Sequence, residues 1–295
     1  MIKEEKNDHK QSGELSGSIK LSERLGLVAA LAGDGIDTLA DVGCDHGMLG
    51  IHLALEGRTG RVIAMDLRKG PLSRAQANAA QYGLTEEKFE TRLSDGLDEL
   101  KPGEADVIVM AGIGGVLMCR LIARGIAAAK KAERLVLSPQ SHIDSVRELL
   151  ASEGFVITDE EICRESGKYY TVMCVSFSER PENGEGSGTL NKTAYALSDE
   201  ETFFGPVLIK KGEPLFYEYV REMRDKAGKR LSQIGRKKFA VPEEETAGAR
   251  QVCRPSFGPG IEPGAAHEDG YDPAEHFEKL LASAEKVLNG RTNPG

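Results

Sequence analysis

Residues 38–47 read Thr38-Leu39-Ala40-Asp41-Val42-Gly43-Cys44-Asp45-His46-Gly47, a short apolar strand running into a glycine-bearing turn. An apolar run of this length, bounded by glycine, reads as a buried strand. The residues beyond it, through His52-Leu53-Ala54-Leu55, continue as a helix. Strand, tight turn and helix in that order form the first unit of an alternating α/β domain. Upstream, Leu21, Leu25, Val28, Ala29 and Leu31 fall on one helical face, with Ser22 as the cap.

The alternation repeats outward. Residues 61–66 are a strand, and Pro71 suits the first turn of a helix through Gln81. Residues 89–93 and 105–111 are strands, and a helix after Gly112-Ile113-Gly114-Gly115 runs to about Ala129. Residues 134–138 are a strand, Ile143–Glu153 a helix, and residues 155–157 and 171–175 complete the sheet, the last as an antiparallel partner. The expected fold is α/β, with a doubly wound, mostly parallel sheet and a C-terminal helical hairpin from Leu215–Lys238 and Pro273–Leu288. The expected organisation is a disordered leader over 1–18, the α/β domain over 19–178 and a linker over 179–193. A helical C-terminal region over 194–295 then carries a mobile insertion at 240–272.

The 295 residues suffice for one large domain plus an appendage, and every apolar stretch is interrupted by charge, so no membrane span is expected. Met1-Ile2-Lys3-Glu4-Glu5-Lys6 is too polar for a secretory signal, which points to a cytoplasmic location. Five scattered cysteines without CxxC spacing read as reduced thiols, with neither a disulfide framework nor a metal site. The net charge of −9 argues against a general nucleic-acid binder. Residues 210–238 reverse it locally, with ten basic against four acidic residues. That segment is either a surface for a polyanion or a solvated lysine-rich helix face.

Ligands of open parallel sheets bind beyond the carboxyl ends of the strands. The first turn here is not the dinucleotide fingerprint GxGxxG, because Asp45 stands where the middle glycine belongs. A carboxylate there would crowd and repel a pyrophosphate, whereas the sulfonium of S-adenosylmethionine carries a positive charge and no phosphate. The loop otherwise is only a tight structural turn. Three further turns repeat the theme. Asp66, 23 residues after Gly43, ends the second strand where a carboxylate can accept ribose hydroxyls. Asp95-Gly96 follows the third strand, within reach of an adenine amine, and Ala111-Gly112-Ile113-Gly114 follows the fourth, where the transferred group and its acceptor meet.

The chain resembles the bacterial tRNA adenine-N1 methyltransferases that modify position 22. The resemblance lies in Leu21-Ser22-Glu23-Arg24-Leu25, Ala40–Gly47, Gly70-Pro71, Asp95-Gly96-Leu97, Gly103–Asp106, Ala111–Gly115, Glu133–Leu137 and Phe203-Phe204-Gly205-Pro206. It implies a class I methyltransferase domain of Rossmann-like fold over 19–178, S-adenosylmethionine as cofactor, adenine N1 as acceptor and tRNA as partner, without metal. It also implies a C-terminal helical hairpin that helps hold tRNA, so the basic helix 215–238 is expected to grip the backbone. Two departures stand out: Cys44-Asp45-His46-Gly47 replaces a Ser-Asp-His-Ala run, and Ser138-Pro139-Gln140 replaces Gln-Pro-Asn.

On this reading the cofactor contacts Asp41, Gly43, Cys44, Asp45, Gly47, Asp66, Leu67, Asp95, Gly96, Ala111, Gly112, Ile113 and Gly114. Asp45, His46 and Arg24 are the candidate catalytic residues. Asp45 binds the cofactor, the target base or both. His46 hydrogen-bonds the acceptor, relays the later N6 proton, or simply fixes the turn. Arg24 clamps a phosphate or pairs with Asp45. Other readings are a methyltransferase for another RNA, a protein or a small molecule, and a non-catalytic RNA-binding protein that keeps the cofactor fold.

Overall fold

The computed structural model describes residues 19–178, 196–239 and 272–290. The leader (1–18), the linker (179–193), Cys253 and all of the insertion except Asp272 lie outside the described residues.

Helix α1 (Glu23–Ala32) starts at Ser22, whose hydroxyl accepts the Leu25 N–H at 3.4 Å. It is followed by β1 (Ile36–Val42), α2 (Met48–Leu55), β2 (Thr59–Asp66), α3 (Lys69–Gln81), β3 (Phe89–Leu93) and β4 (Val107–Ala111). Next come α4 (Gly115–Arg124), α5 (Ile126–Lys131), β5 (Arg134–Ser138), α6 (Ile143–Ser152), β6 (Phe155–Glu165) and β7 (Lys168–Phe177). The seven strands lie in the order β3-β2-β1-β4-β5-β7-β6. β1 to β5 pair in parallel, and β7 runs antiparallel to both β5 and β6, the expected doubly wound sheet with its antiparallel last partner.

Side-chain alternation divides the core between two faces. Ala40, Val42, Ile63, Met65, Ile108, Met110, Leu135 and Leu137 pack with Met118, Ile122 and Leu150 on one side. Leu39, Val62, Ala64, Val107, Val109 and Val136 pack with Val28, Leu53 and Ala75 on the other. The same parity turns Asp41, Asp66, Ala111 and Ser138 to the face that carries α1, α2 and α3.

Two elements differ from the sequence reading. The single helix expected to reach about Ala129 breaks at Gly125 into α4 and α5. A side chain at Gly125 would overlap Leu97, so the chain presses its backbone onto that residue and pivots there. The short strand expected over 155–157 runs to Glu165. Its hairpin closes through Ser166 and Gly167, both at positive φ (51° and 78°), as a two-residue type I′ turn requires.

Compactness divides the chain after Leu215. Helices α7 (Asp199–Phe204) and α8 (Pro206–Lys211), grouped by the sequence reading with the C-terminal region, therefore belong to the α/β unit. The reason is a fully buried ion pair. Arg147 of α6 donates to Glu160 of β6 at 3.0 Å and to the carbonyls of Thr202 and Phe203 at 3.0 Å each. The second Glu160 oxygen accepts the first N–H groups of α8, from Val207 at 3.0 Å and Leu208 at 3.3 Å. Phe203-Phe204-Gly205-Pro206 thus wraps a carboxylate, and a side chain at Gly205 would collide with it. The second unit holds α9 (Pro214–Phe239, from Phe216 on) and α10 (Pro273–Gly290), with Arg224 and Gly228 of one and Leu281 and Glu285 of the other lining a shared open cleft. Among the described residues no helix is long and apolar enough to cross a membrane.

Arg147→Ala would strand the buried Glu160 carboxylate and remove both donors to α7. A loss of about 3–5 kcal/mol is expected in urea unfolding, with new protease cleavage in α7 and α8. A loss below about 1 kcal/mol would mean that something else docks these helices.

Candidate active site

β1 lies between β2 and β4, with Val42 opposite Met65 on one side and Met110 on the other. The sheet order reverses here, and the crevice at such a switch point is where ligands bind. The turn after β1 leans over β2, because the N–H groups of Gly43 and Cys44 both donate to the Met65 carbonyl, at 2.8 and 3.0 Å. Gly47 closes the turn onto Cys44 at 2.7 Å and starts α2. At Gly47 φ is +72°, and a Cβ would lie 2.8 Å from the Phe89 ring and 3.0 Å from Ala75. Backbone conformation and packing therefore both require this glycine.

Asp45 is held at φ +50° with its side chain exposed, and His46 Nε2 lies 3.7 Å from its Oδ1. Asp41, near the end of β1, is buried. Burial pushes its pKa up to about 7, against the lowering effect of the Gly50 N–H, with the nearby Asp66 charge adding to the rise. Burial, and then the Asp41 and Asp66 charges, also push the Cys44 thiol well up, which makes it an inert packing group.

Asp66 accepts the Arg68 N–H at 2.9 Å with Oδ1. Leu67 beside it is 64% exposed, and Leu93, its β3 neighbour opposite Asp66, is 47% exposed. Large apolar side chains seldom stand bare next to a buried carboxylate, and together they suit a ligand with a flat ring joined to a hydroxyl-bearing group. One oxygen of Asp95 is engaged: Oδ2 takes Arg124 Nη1 at 2.6 Å. Gly96, at φ +65°, packs its backbone on Leu121.

The turn after β4 meets the turn after β1, since Ile113 Cγ2 lies 3.7 Å from a Cβ built on Gly43. The Gly112 N–H donates to Ser138 at 3.2 Å, Gln140 to Ile113 at 2.9 Å and Gly115 to Ser141 at 2.9 Å, so the loops after β4 and β5 are laced together. A Cβ on Gly112, where φ is +81°, would sit 3.8 and 3.9 Å from the two terminal nitrogens of Arg24. Arg24 does not pair with Asp45: among the described residues it has no ion-pair partner, and its guanidinium lies over the Tyr170 ring at 5.4 Å. Its Nη1 is buried without a hydrogen-bond partner, as is the Ser138 hydroxyl. The Arg24 N–H donates to Glu165 at 3.1 Å, and this bond, followed by the Ser22 hydroxyl, holds the Glu165 carboxyl below its usual range. Tyr170 and Glu165 escaped the sequence reading because they meet Arg24 across more than 140 positions. Among the described residues no group of three or more His, Cys, Asp or Glu could hold a metal ion.

A family model for the methyltransferase domain matches residues 21–173. The tRNA (adenine(22)-N(1))-methyltransferase of Bacillus subtilis (strain 168) is 34% identical over 168 residues, 57% of this chain and 70% of that protein. The chain belongs to the tRNA (adenine(22)-N(1))-methyltransferase family. Among solved structures, the B. subtilis M1A22 tRNA methyltransferase aligns with a TM-score of 0.68 at 25% identity, over 91% of this chain and 99% of that one. A Streptococcus pneumoniae protein assigned as a tRNA (m1A22) methyltransferase, solved in complex with S-adenosyl-L-methionine, aligns at 0.67 and 27%, over 91% and 100%. Both alignments cover more of the chain than the methyltransferase domain matched over 21–173.

The raised Asp41 pKa has a definite sign. The group ionises near 3.8 when unfolded and near 7 in the fold, so the folded state binds the proton more tightly. Stability then falls as pH rises from 3.8 to about 7 and stays at the lower level above it. Asp41→Asn, which keeps an oxygen for the Gly50 N–H, is expected to stabilise the unliganded protein by a few kcal/mol at pH 8 and hardly at all near pH 4. Urea unfolding at the two pH values checks this, and equal effects at both would dismiss the buried titration.

Proposed function

We propose that this protein transfers a methyl group from S-adenosylmethionine to N1 of the adenine at position 22 of tRNA. Family membership supports the reading, and one structural observation carries it: the crevice where the turns after β1 and β4 meet has the buried carboxylates of Asp41 and Asp66 under it and the Arg24 guanidinium beside Gly112. The donor set fits a cofactor that is cationic at one end and rich in hydroxyls at the other. Asp66 Oδ2 accepts ribose hydroxyls, Leu67 and Leu93 cover the adenine, and the Asp95 oxygen not used by Arg124 accepts its amine. Gly43, Cys44, Asp45 and Gly47 line the aminoacyl end together with Ala111, Gly112, Ile113 and Gly114, while the Gly96 turn holds Asp95 in place.

When bound, S-adenosylmethionine supplies an electrophilic methyl group on its sulfonium. Neutral adenine N1 carries a lone pair, so the protein has to align the base rather than deprotonate it. The carboxylates around the first turn offset the positive charge that passes to the methylated base. Asp45, exposed and fixed at φ +50°, is the acidic group able to face that base. His46, 3.7 Å from it, carries away the N6 proton of the cationic product. Arg24 offers its unused N–H beside Gly112 to an acceptor atom of the target nucleotide.

The tRNA backbone is gripped by α9, chiefly through the exposed Arg221, Lys229 and Arg230. Other cations of the basic segment have partners: Arg224 pairs with Asp225, Lys226 with Glu222, and Lys211 is tied to Asp159 and Glu161 of β6. A tRNA substrate supports a cytoplasmic location.

Incubation with tritiated S-adenosylmethionine and tRNA should put label into 1-methyladenosine at position 22, and label in any other nucleoside, or none, would refute the assignment. Asp45→Ala is expected to lower turnover at least a hundredfold while leaving the melting temperature unchanged. For binding, log Kd should rise linearly with log salt. Changing Arg221, Lys229 and Arg230 to Ala should reduce that slope by about 2–3, at roughly 0.7–0.9 per phosphate contact. An unchanged slope would move the grip elsewhere.

A further inference from the structure

β5 ends at Ser138 and leads into Pro139-Gln140, and the Gln140 side-chain amide is exposed with no hydrogen bond among the described residues. Its backbone, by contrast, is pinned. The Gln140 N–H donates to Ile113 at 2.9 Å, and the next carbonyl, Ser141, accepts the Gly115 N–H at 2.9 Å. Nε2 of Gln140 lies 3.9 Å from the point where a Cβ on Gly112 would stand, and the Arg24 terminal nitrogens lie 3.8 and 3.9 Å from the same point. The two polar side chains therefore flank a small space that exists because residue 112 has no side chain. At φ +81° that position also disfavours any other residue.

We infer that Gln140 recognises the target adenine by pairing its side-chain amide with the N6 and N7 edge of the base. The inference rests on the adenine-N1 reading above. Methylation at N1 commits the Watson–Crick edge to the cofactor side, so the N6–N7 edge is the one left to hold. A primary amide presents one acceptor and two donors, and a single Gln can accept from the N6 amine while donating to N7. Guanine offers two acceptors, O6 and N7, on that edge, so the same amide satisfies only one of them and adenine is selected. Arg24 has donors only and cannot accept from N6, which excludes it as the reader of this edge.

The test uses tRNA carrying 7-deazaadenosine at position 22, which keeps N1 and N6 but lacks the N7 acceptor. The parent enzyme is expected to lose about tenfold or more in kcat/KM on this substrate. Gln140→Leu should lose a similar factor on natural tRNA and nothing further on the 7-deaza tRNA, because the contact is already gone. Gln140→Glu should be impaired on natural tRNA, where its second oxygen faces N7, and less impaired on the 7-deaza tRNA. Affinity for S-adenosylmethionine, measured by calorimetry, should stay within twofold in both variants. An undiminished parent rate on 7-deaza tRNA, or equal factors of loss for parent and Gln140→Leu, would overturn the proposal by showing no contact between residue and atom. A parent enzyme inactive on natural tRNA would instead overturn the reading of the reaction, and this inference with it.

Discussion

Strand β1 hydrogen-bonds to β2 on one side and to β4 on the other, and its register with both is the constraint from which the site follows. Asp41 lies opposite Ala64 and Val109, and Val42 opposite Met65 and Met110, so three strands end at nearly the same level. The turns that leave them must diverge, and the crevice between them is the consequence. Because side chains alternate, the same register turns Asp41 and Asp66 to one face, close enough for the charge on one to raise the pKa of the other. The buried Asp41 carboxylate, once ionised, opposes the stability of the unliganded fold, and the Gly50 N–H offsets only part of that effect. A cationic ligand would complete the balance, which gives the electrostatics of the site a direction as well as a location.

The second constraint is the length of the β6–β7 hairpin. Had β6 stopped at Ile157, neither Glu165 nor Tyr170 would reach α1. Extended to its Ser166-Gly167 turn, the hairpin brings a carboxylate to the start of α1 and an aromatic ring beneath the Arg24 guanidinium. The side chain that faces Gly112 is thus set by the far edge of the sheet. Glu160, further back on the same strand, anchors α7 and α8 through Arg147. One long edge strand thereby links a buried ion pair, which docks the segment before α9, to the residue beside the crevice.

Order and type of most elements were legible in the sequence because the signals are local. Alternating apolar residues, a serine cap at Ser22 and glycine-bearing turns act within a few positions, and the structure follows them closely from α1 to β5. The elements that departed did so through distant contacts. α4 and α5 part where Gly125 meets Leu97. β6 runs on through a charged stretch whose partner is β7, and such pairing energy has no counterpart in local periodicity.

The candidate site divides in the same way. The positions of its candidate cofactor residues along the chain were readable, since a carboxylate or a glycine at or just after the end of a strand can be placed by counting. Asp41, Gly43, Asp66, Asp95 and Gly112 are candidates of this kind. Their surroundings were not readable: that Asp95 is engaged by Arg124, and that Gly47 answers to Phe89 and Ala75, are facts of packing. The sequence by itself determined the strand–turn–helix order, the acidic first turn and the family, because these depend on residues that are neighbours in the chain. Only the tertiary structure decided that Arg24 lies over Tyr170 and across Gly112 from Gln140, and that a buried Arg147–Glu160 pair holds the Phe-Gly-Pro segment. Those arrangements join residues far apart in sequence, and they exist only once the sheet has fixed the level at which each strand ends.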